Sequence, residues 1–179
     1  MARNVEIKAR VCELDAIRTR ARSLASSPGE VLQQTDTFFA VPSGRLKVRE
    51  FPDGTGELIS YQRSDQRGPK ESVYTRYPCQ NARALSETLG KVLPVRGIVL
   101  KMREVFLVGR TRIHLDQVQD LGSFVELEVV LSDRESAEHG EQVALELLQM
   151  LEISETGLLA QAYIDLLEAA AGYSSFMGL

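Results

Sequence analysis

The sequence predicts an α+β protein with about eight strands and four helices. Three observations carry that expectation. Apolar and polar residues alternate with period two over most of residues 3–131, as half-buried strands require. Turn residues (Gly, Pro, Ser and Asp) separate several of the alternating runs at hairpin spacing. From Ser132 onward the apolar period becomes that of a helix.

The elements follow in order. Residues 3–11 set Val5, Ile7, Ala9 and Val11 against Asn4, Glu6, Lys8 and Arg10, which reads as a strand. Residues 12–26 place Leu14, Ile17, Ala21 and Leu24 at helical spacing, and Ser26-Ser27-Pro28-Gly29 ends that helix. Strands follow at 30–41, 45–51 and 56–63, divided by Pro42-Ser43-Gly44 and by the run Pro52 to Gly56. Such short connections pair neighbours antiparallel. After a polar connection at 64–69, residues 70–78 alternate again, and 80–92 forms a short helix with Ala82, Leu85, Leu89 and Val92 on one stripe. Three more strands occupy 96–108, 110–118 and 123–131. Ser132 and Glu135 have capping-box spacing at the head of a helix whose apolar face is Val143, Leu147, Leu148 and Leu151. A last helix is predicted over 155–171, and one domain is expected to span residues 1–179.

Composition narrows the functional classes. A chain of 179 residues with 44% hydrophobic and 26% charged side chains can bury a sizeable core without disulfide or metal staples. A net charge of −4 argues against a non-specific nucleic-acid binder. Cys12 and Cys79 give neither a disulfide framework nor a zinc-ligand pattern. No segment approaches the ~20 apolar residues of a membrane span, and the first ten residues lack the apolar run of a signal peptide. The expectation is a cytoplasmic protein with reduced thiols and no membrane or nucleic-acid partner.

The strand faces carry the functional signal. Eleven of the 21 basic residues lie on alternating polar faces: Lys8, Arg10, Arg45, Lys47, Arg49, Arg63, Lys70, Lys101, Arg103, Arg110 and Arg112. Each strand alone reads as the solvated outer face of an antiparallel sheet. Taken together the cations cluster by strand, whereas outer faces normally mix signs. If the sheet curls so that these faces meet, it encloses a cavity lined by cations and a few carboxylates. Like charges withdrawn from water repel by several kcal/mol per pair even at an effective dielectric of about 20. A polyanion is the natural guest, since guanidinium forks and lysine point charges both bind phosphate oxygens. Glu6, Asp116, Glu126 and Glu128 supply the hard oxygen ligands that magnesium or manganese prefers while bridging phosphates.

These residues resemble the CYTH superfamily, named for class IV adenylate cyclases and thiamine triphosphatases. The family opens with Glu-x-Glu-x-Lys on its first strand, where this chain has Asn4-Val5-Glu6-Ile7-Lys8. Similar runs follow in order: Thr35 to Phe39, Arg45 to Arg49, Leu58 to Arg63, Lys101-Met102-Arg103, Arg112 to Asp116, and Leu121 to Glu128. Tyr163-Ile164-Asp165-Leu166-Leu167 resembles the closing pattern. The resemblance implies an antiparallel eight-stranded barrel, the triphosphate tunnel, open at both ends with helices outside. It implies Mg²⁺ or Mn²⁺ held by Glu6 and Glu126 with Asp116 and Glu128 assisting. It implies phosphate contacts from Lys8, Lys47, Arg49, Arg63, Lys101, Arg103 and Arg112, and from Arg10 and Lys70. Asn4 departs from the pattern: its amide oxygen can ligate a cation or support one from behind, but it brings no charge.

Other residues have plainer readings. Arg45 and Arg110 lie at strand ends and are expected in solvent. His114 reads as a hydrogen-bonding partner beside Asp116 rather than a general base, and no catalytic residue is assigned. Phe38, Phe39, Phe106 and Phe124 read as core, while Tyr61 and Tyr74 are candidates for lining the barrel or touching an organic group.

The resemblance leans toward the class IV adenylate cyclase branch, which converts ATP to cyclic AMP and pyrophosphate. A triphosphatase acting on thiamine triphosphate, inorganic tripolyphosphate or a nucleoside triphosphate is the alternative. A non-catalytic nucleotide or polyphosphate binder is the third reading. A barrel that closes incompletely would leave an edge free for a homodimer.

Overall fold

The computed structural model describes residues 2–177. Eight long strands form the wall: β1 (Ala2–Arg10), β2 (Glu30–Phe39), β3 (Arg45–Glu50), β4 (Gly56–Arg63), β5 (Lys70–Cys79), β6 (Val95–Val108), β7 (Thr111–Val118) and β8 (Gly122–Leu131). They pair antiparallel in the order β5-β4-β3-β2-β6-β7-β8-β1, and β1 returns to β5 through residues 2–6 to close an antiparallel barrel. Four helices lie outside it: α1 (Leu14–Leu24), α2 (Ala82–Gly90), α3 (Ala137–Met150) and α4 (Tyr163–Met177). No helix among the described residues is long and apolar enough to cross a membrane.

Period-two alternation places one face of every strand inside and the other outside. The outer face of β1, with Val5, Ile7 and Ala9, joins Ile113, Leu115, Val125 and Leu127 beneath α1 and α3 to make the largest apolar core. Burying such a side chain contributes about 1.5–3 kcal/mol. Close approach matters at Gly140 of α3, where an added Cβ would lie 2.8 Å from Val5 Cγ2. Phe39, Val48 and Ala82 form a smaller cluster beneath α2. The hairpin between β3 and β4 needs Gly54 at φ +84°.

Three local features differ from the sequence expectation. The Glu135 carboxylate does reach the Ser132 amide at 2.7 Å, but the segment only closes a turn there. Arg110 also pairs with Glu135, and α3 starts later, capped by Ser136 accepting from the His139 amide. The predicted helix over 155–171 is three elements: a 3-10 turn (Glu155–Gly157), a two-residue strand β9 (Leu158–Leu159) and α4. β9 pairs with Lys8 and Ala9 and so covers the part of the β1 edge that β5 leaves open.

The third difference concerns the barrel ends. The interior-facing Phe38, Val99, Val118 and Phe124 pack against Ala162, Tyr163 and Ile164. The start of α4 therefore stoppers one end, and the channel expected to open at both ends is a pocket with one mouth.

Candidate functional site

The polar rows converge on the inside. Asn4, Glu6 and Lys8 of β1 share one cavity of about 320 Å³ with Lys47 and Arg49 of β3, Arg63 of β4 and Lys101 and Arg103 of β6. Arg112 and His114 of β7, and Glu126 and Glu128 of β8, also line it, as do Asp36 of β2 and Tyr74 of β5. The alternative, that these faces are solvated exteriors, fails because the opposite faces are the ones packed beneath helices.

One carboxylate organises the β2–β3–β6 wall. Asp36, 1% exposed, accepts from Lys47 Nζ at 2.8 Å, Arg49 Nε at 2.8 Å and Lys101 Nζ at 2.7 Å. Burial works against its charge, but Arg49, Lys101 and Lys47 hold its carboxyl well below the usual carboxylate range. Three cations share this single counter-charge. Burial therefore drives the Lys101 ammonium from 10.5 down to about 7, opposed by Asp36 and aided by Arg49 and Lys47.

Arg103 organises the opposite wall. Its guanidinium forks onto Asp116 at 2.7 and 2.6 Å and reaches Glu126 Oε2 at 2.8 Å. Tyr163 donates its hydroxyl to Asp116 at 2.7 Å. Glu126 pairs with Lys8 at 3.6 Å, and the Lys8 ammonium stands 4.0 Å from the Tyr163 ring centroid. Arg112 pairs with Glu128 at 3.1 Å. Near the stoppered end Arg63 pairs with Glu6 at 3.0 Å and donates to the Ala160 carbonyl at 2.9 Å.

The seven cations Lys8, Lys47, Arg49, Arg63, Lys101, Arg103 and Arg112 thus meet as the sequence reading expected. Lys70 is buried at the stoppered end and donates to the Gln66 and Leu159 carbonyls rather than facing the cavity. Burial, helped by Arg63, brings its ammonium down to about 8. Arg10 is not gathered in: it is exposed, lies 4.7 Å from the Phe124 ring and donates to the Leu121 carbonyl. Asp116 is fully buried on the same inward face of β7 as Arg112 and His114, and its two oxygens accept from Arg103, with Oδ2 accepting from Tyr163 as well, so in the free protein it holds the guanidinium in place.

The remaining acids suit a divalent ion. Burial, and then the Glu126 carboxylate, push Glu6 above its ordinary 4.5. An acid strained in this way is relieved by a bound cation. Asn4 Oδ1 and His114 Nδ1 are buried on the same wall without a hydrogen-bond partner. His114, Glu126 and Glu128 each bring one ligand atom within 4.8 Å of the others, which fits a divalent cation, and Glu6 and Asn4 line the same cavity. His114, expected as a structural hydrogen-bonding partner, has an Nδ1 with no hydrogen bond.

Sequence reasoning missed three residues. Asp36 lies in the Thr35–Phe39 run, and its alternation with Gln34 and Phe38 on one face is the signal that places it inside the barrel. Gln34 is buried on the cavity wall with Oε1 unpartnered. Tyr163 was placed in a closing pattern, and nothing in its own neighbourhood announced a hydroxyl aimed at β7.

Comparison with known proteins agrees with this architecture. Residues 2–163 match the CYTH domain, and the chain belongs to that family. PH1012 protein from Pyrococcus horikoshii shares the fold at TM-score 0.81 and 23% identity, over 91% of this chain and 98% of that one. A candidate adenylate cyclase from Vibrio parahaemolyticus superposes at 0.76 with 21% identity, over 92% and 97% of the two chains. HpAC1 from Hippeastrum, an adenylyl cyclase candidate described with a dominant triphosphatase activity, superposes at 0.66 with 11% identity, over 95% and 96%. No curated protein sequence matches this chain.

Proposed function

We propose that this protein is a metal-dependent enzyme acting on an organic triphosphate, with ATP cyclisation as its leading reaction. The observation that carries the reading is the single cavity that Lys8, Lys47, Arg49, Arg63, Lys101, Arg103 and Arg112 line together with Glu6, Glu126 and Glu128. Lys8, Lys47, Arg63 and Lys70 all touch residues of the stopper or the rings beside it. Glu128 and Arg112 stand one step along their strands toward the mouth, where Leu32, Phe51 and Val105 add apolar surface.

This gradient supports entry phosphate-first, with the organic group at the mouth. The terminal phosphate would lie among the deep cations, shielded by Phe124 and Tyr163. Glu6, Glu126 and Glu128 would hold the divalent ion, which supplies polarisation of phosphoryl oxygens and of an attacking hydroxyl. The hydroxyl oxygen of the organic group would bond to the inner phosphorus, the bond to the pyrophosphate would break, and the hydroxyl proton would leave to solvent. Arg49, Lys101 and Arg103 would neutralise the charge that grows on the departing pyrophosphate.

Hydrolysis of the terminal phosphate is the second reading. Asn4 favours it, because this chain has one acid fewer on the cavity face of β1, and HpAC1 is described with triphosphatase activity. Incubation with ATP and Mn²⁺ separates the two: cyclic AMP with pyrophosphate supports cyclisation, and orthophosphate supports hydrolysis. Absence of any product from ATP, thiamine triphosphate and tripolyphosphate would overturn the enzyme reading.

A further inference from the structure

His114 is held in an unusual position for a strand histidine. It is 4% exposed, faces the cavity, and has an Nδ1 without a hydrogen-bond partner. Leaving a buried polar atom unpaired costs about 1–3 kcal/mol. Nδ1 stands 4.0 Å from Glu126 Oε2 and 3.9 Å from Glu128 Oε1, beyond hydrogen-bond reach of either.

Those distances suit a shared ion. Two metal–ligand bonds of about 2.1 Å separate their donor atoms by roughly 3.0 Å when adjacent and 4.2 Å when opposite. Both histidine–carboxylate separations lie inside that span, and one ligand atom from each of the three residues lies within 4.8 Å of the others, so a small inward shift of the carboxylates would complete the approach to a shared ion. Glu128 Oε1 is the oxygen that Arg112 leaves free, since Arg112 takes Oε2. Glu126 Oε2 also accepts from Arg103, whose guanidinium stays anchored by both Asp116 oxygens when that bond yields.

We infer that His114 Nδ1 is a nitrogen ligand to the metal of this site, and that it selects a first-row transition ion over Mg²⁺. Mg²⁺ favours an all-oxygen shell, whereas imidazole nitrogen is taken readily by ions such as Co²⁺ and Zn²⁺. The affinity order expected of the free protein is Co²⁺ above Mn²⁺ above Mg²⁺. Glu126 and Glu128 supply charge, and His114 supplies discrimination. This deepens the proposed function and depends on its metal site, but needs no turnover to test.

Mn²⁺ titrated into the purified full chain without triphosphate, followed by electron paramagnetic resonance, reports occupancy directly. Electron spin-echo modulation then reports whether a nitrogen is bound, and labelling with [¹⁵N]histidine assigns that nitrogen to histidine. The expected result is histidine modulation in the wild type and none in His114→Ala. Co²⁺ and Mn²⁺ affinities should fall at least about tenfold in that variant, and Mg²⁺ affinity less than about threefold. His114→Gln serves as the volume-matched variant if alanine fails to fold, while the wild-type spectrum decides independently of either. Bound Mn²⁺ with no histidine modulation would overturn the nitrogen ligand and leave the proposed function standing. Failure of Mn²⁺, Co²⁺ and Mg²⁺ to bind at all would overturn both.

Discussion

Lys101 and Asp36 meet over 2.7 Å in the barrel wall with 1% of either side chain exposed. Lys47 and Arg49 converge on the same carboxylate, so Asp36 holds together a group of cations poised for a larger anion. Removing one charge from a buried network typically costs about 3–5 kcal/mol. Asp36→Asn is therefore expected to lower the melting temperature of the free protein by several degrees or more. Tripolyphosphate, which supplies the missing negative charge, should restore more stability to this variant than to the wild type. Thermal denaturation with and without the anion checks both statements; equal ligand-induced shifts would count against the anion-receiving role of this wall.

Lys101 also makes triphosphate binding depend on pH. Its ammonium, brought down to about 7, is largely deprotonated in the free protein at pH 8. A bound polyanion favours the charged form and raises that value, so binding at pH 8 takes up a proton. By linkage, affinity falls as pH rises through about 7, by up to roughly tenfold per unit. Calorimetry in two buffers of different ionisation enthalpy measures the uptake. Lys101→Arg, whose guanidinium stays charged throughout, should reduce it. The sign for the unliganded fold is separate: a depressed lysine value means this group costs stability progressively as pH falls from 10.5 toward 7, and no further below.

The interior of the barrel was legible in the sequence because side chains alternate strictly on a strand. Reading every second residue of β1, β3, β6 and β8 names the cavity wall, whatever the pairing order. Which charge neutralises which was not legible, because that depends on register. Arg103 lies directly across from Asp116 in the β6–β7 ladder, and that pairing occupies both Asp116 oxygens. Asp36 gathers partners from β3 and β6, strands that touch β2 on its two sides. β9 was invisible because two residues have no period. The capping-box spacing at Ser132 correctly announced the Glu135 contact but not where the helix begins, since Arg110 engages the same carboxylate.

Tyr163 connects the stopper to the charged wall. Its hydroxyl meets the fully buried Asp116, and its ring lies beneath the Lys8 ammonium and 4.9 Å from the Phe124 ring. Tyr163→Phe keeps the ring contacts and removes one hydrogen bond to an ionised acceptor, a loss of about 1.5–3 kcal/mol. Denaturant unfolding should show that decrease. Mn²⁺ titration should be unchanged, because Arg103 keeps Asp116 in place. A variant with wild-type stability would mean that the hydroxyl contributes nothing to closing this end.

Asn4 offers the sharpest test of the metal site because its substitution should act in opposite directions with and without the ion. The side chain is 3% exposed, and its Oδ1 lies on the cavity wall without a partner. Glu6, two residues along the same face, is already pushed up by burial and by Glu126. Asn4→Glu adds another acid to this crowd. In metal-free buffer the variant should be less stable than the wild type, by about 3–5 kcal/mol if the added charge stays buried and uncompensated. With Mn²⁺ present the added carboxylate becomes a charged ligand, and affinity should rise about tenfold. Melting curves recorded with chelator and with saturating Mn²⁺ should therefore diverge more for Asn4→Glu than for the wild type. A metal titration indistinguishable from wild type would remove Asn4 from the ligand sphere and leave Glu6, Glu126 and Glu128 as the acids of the site.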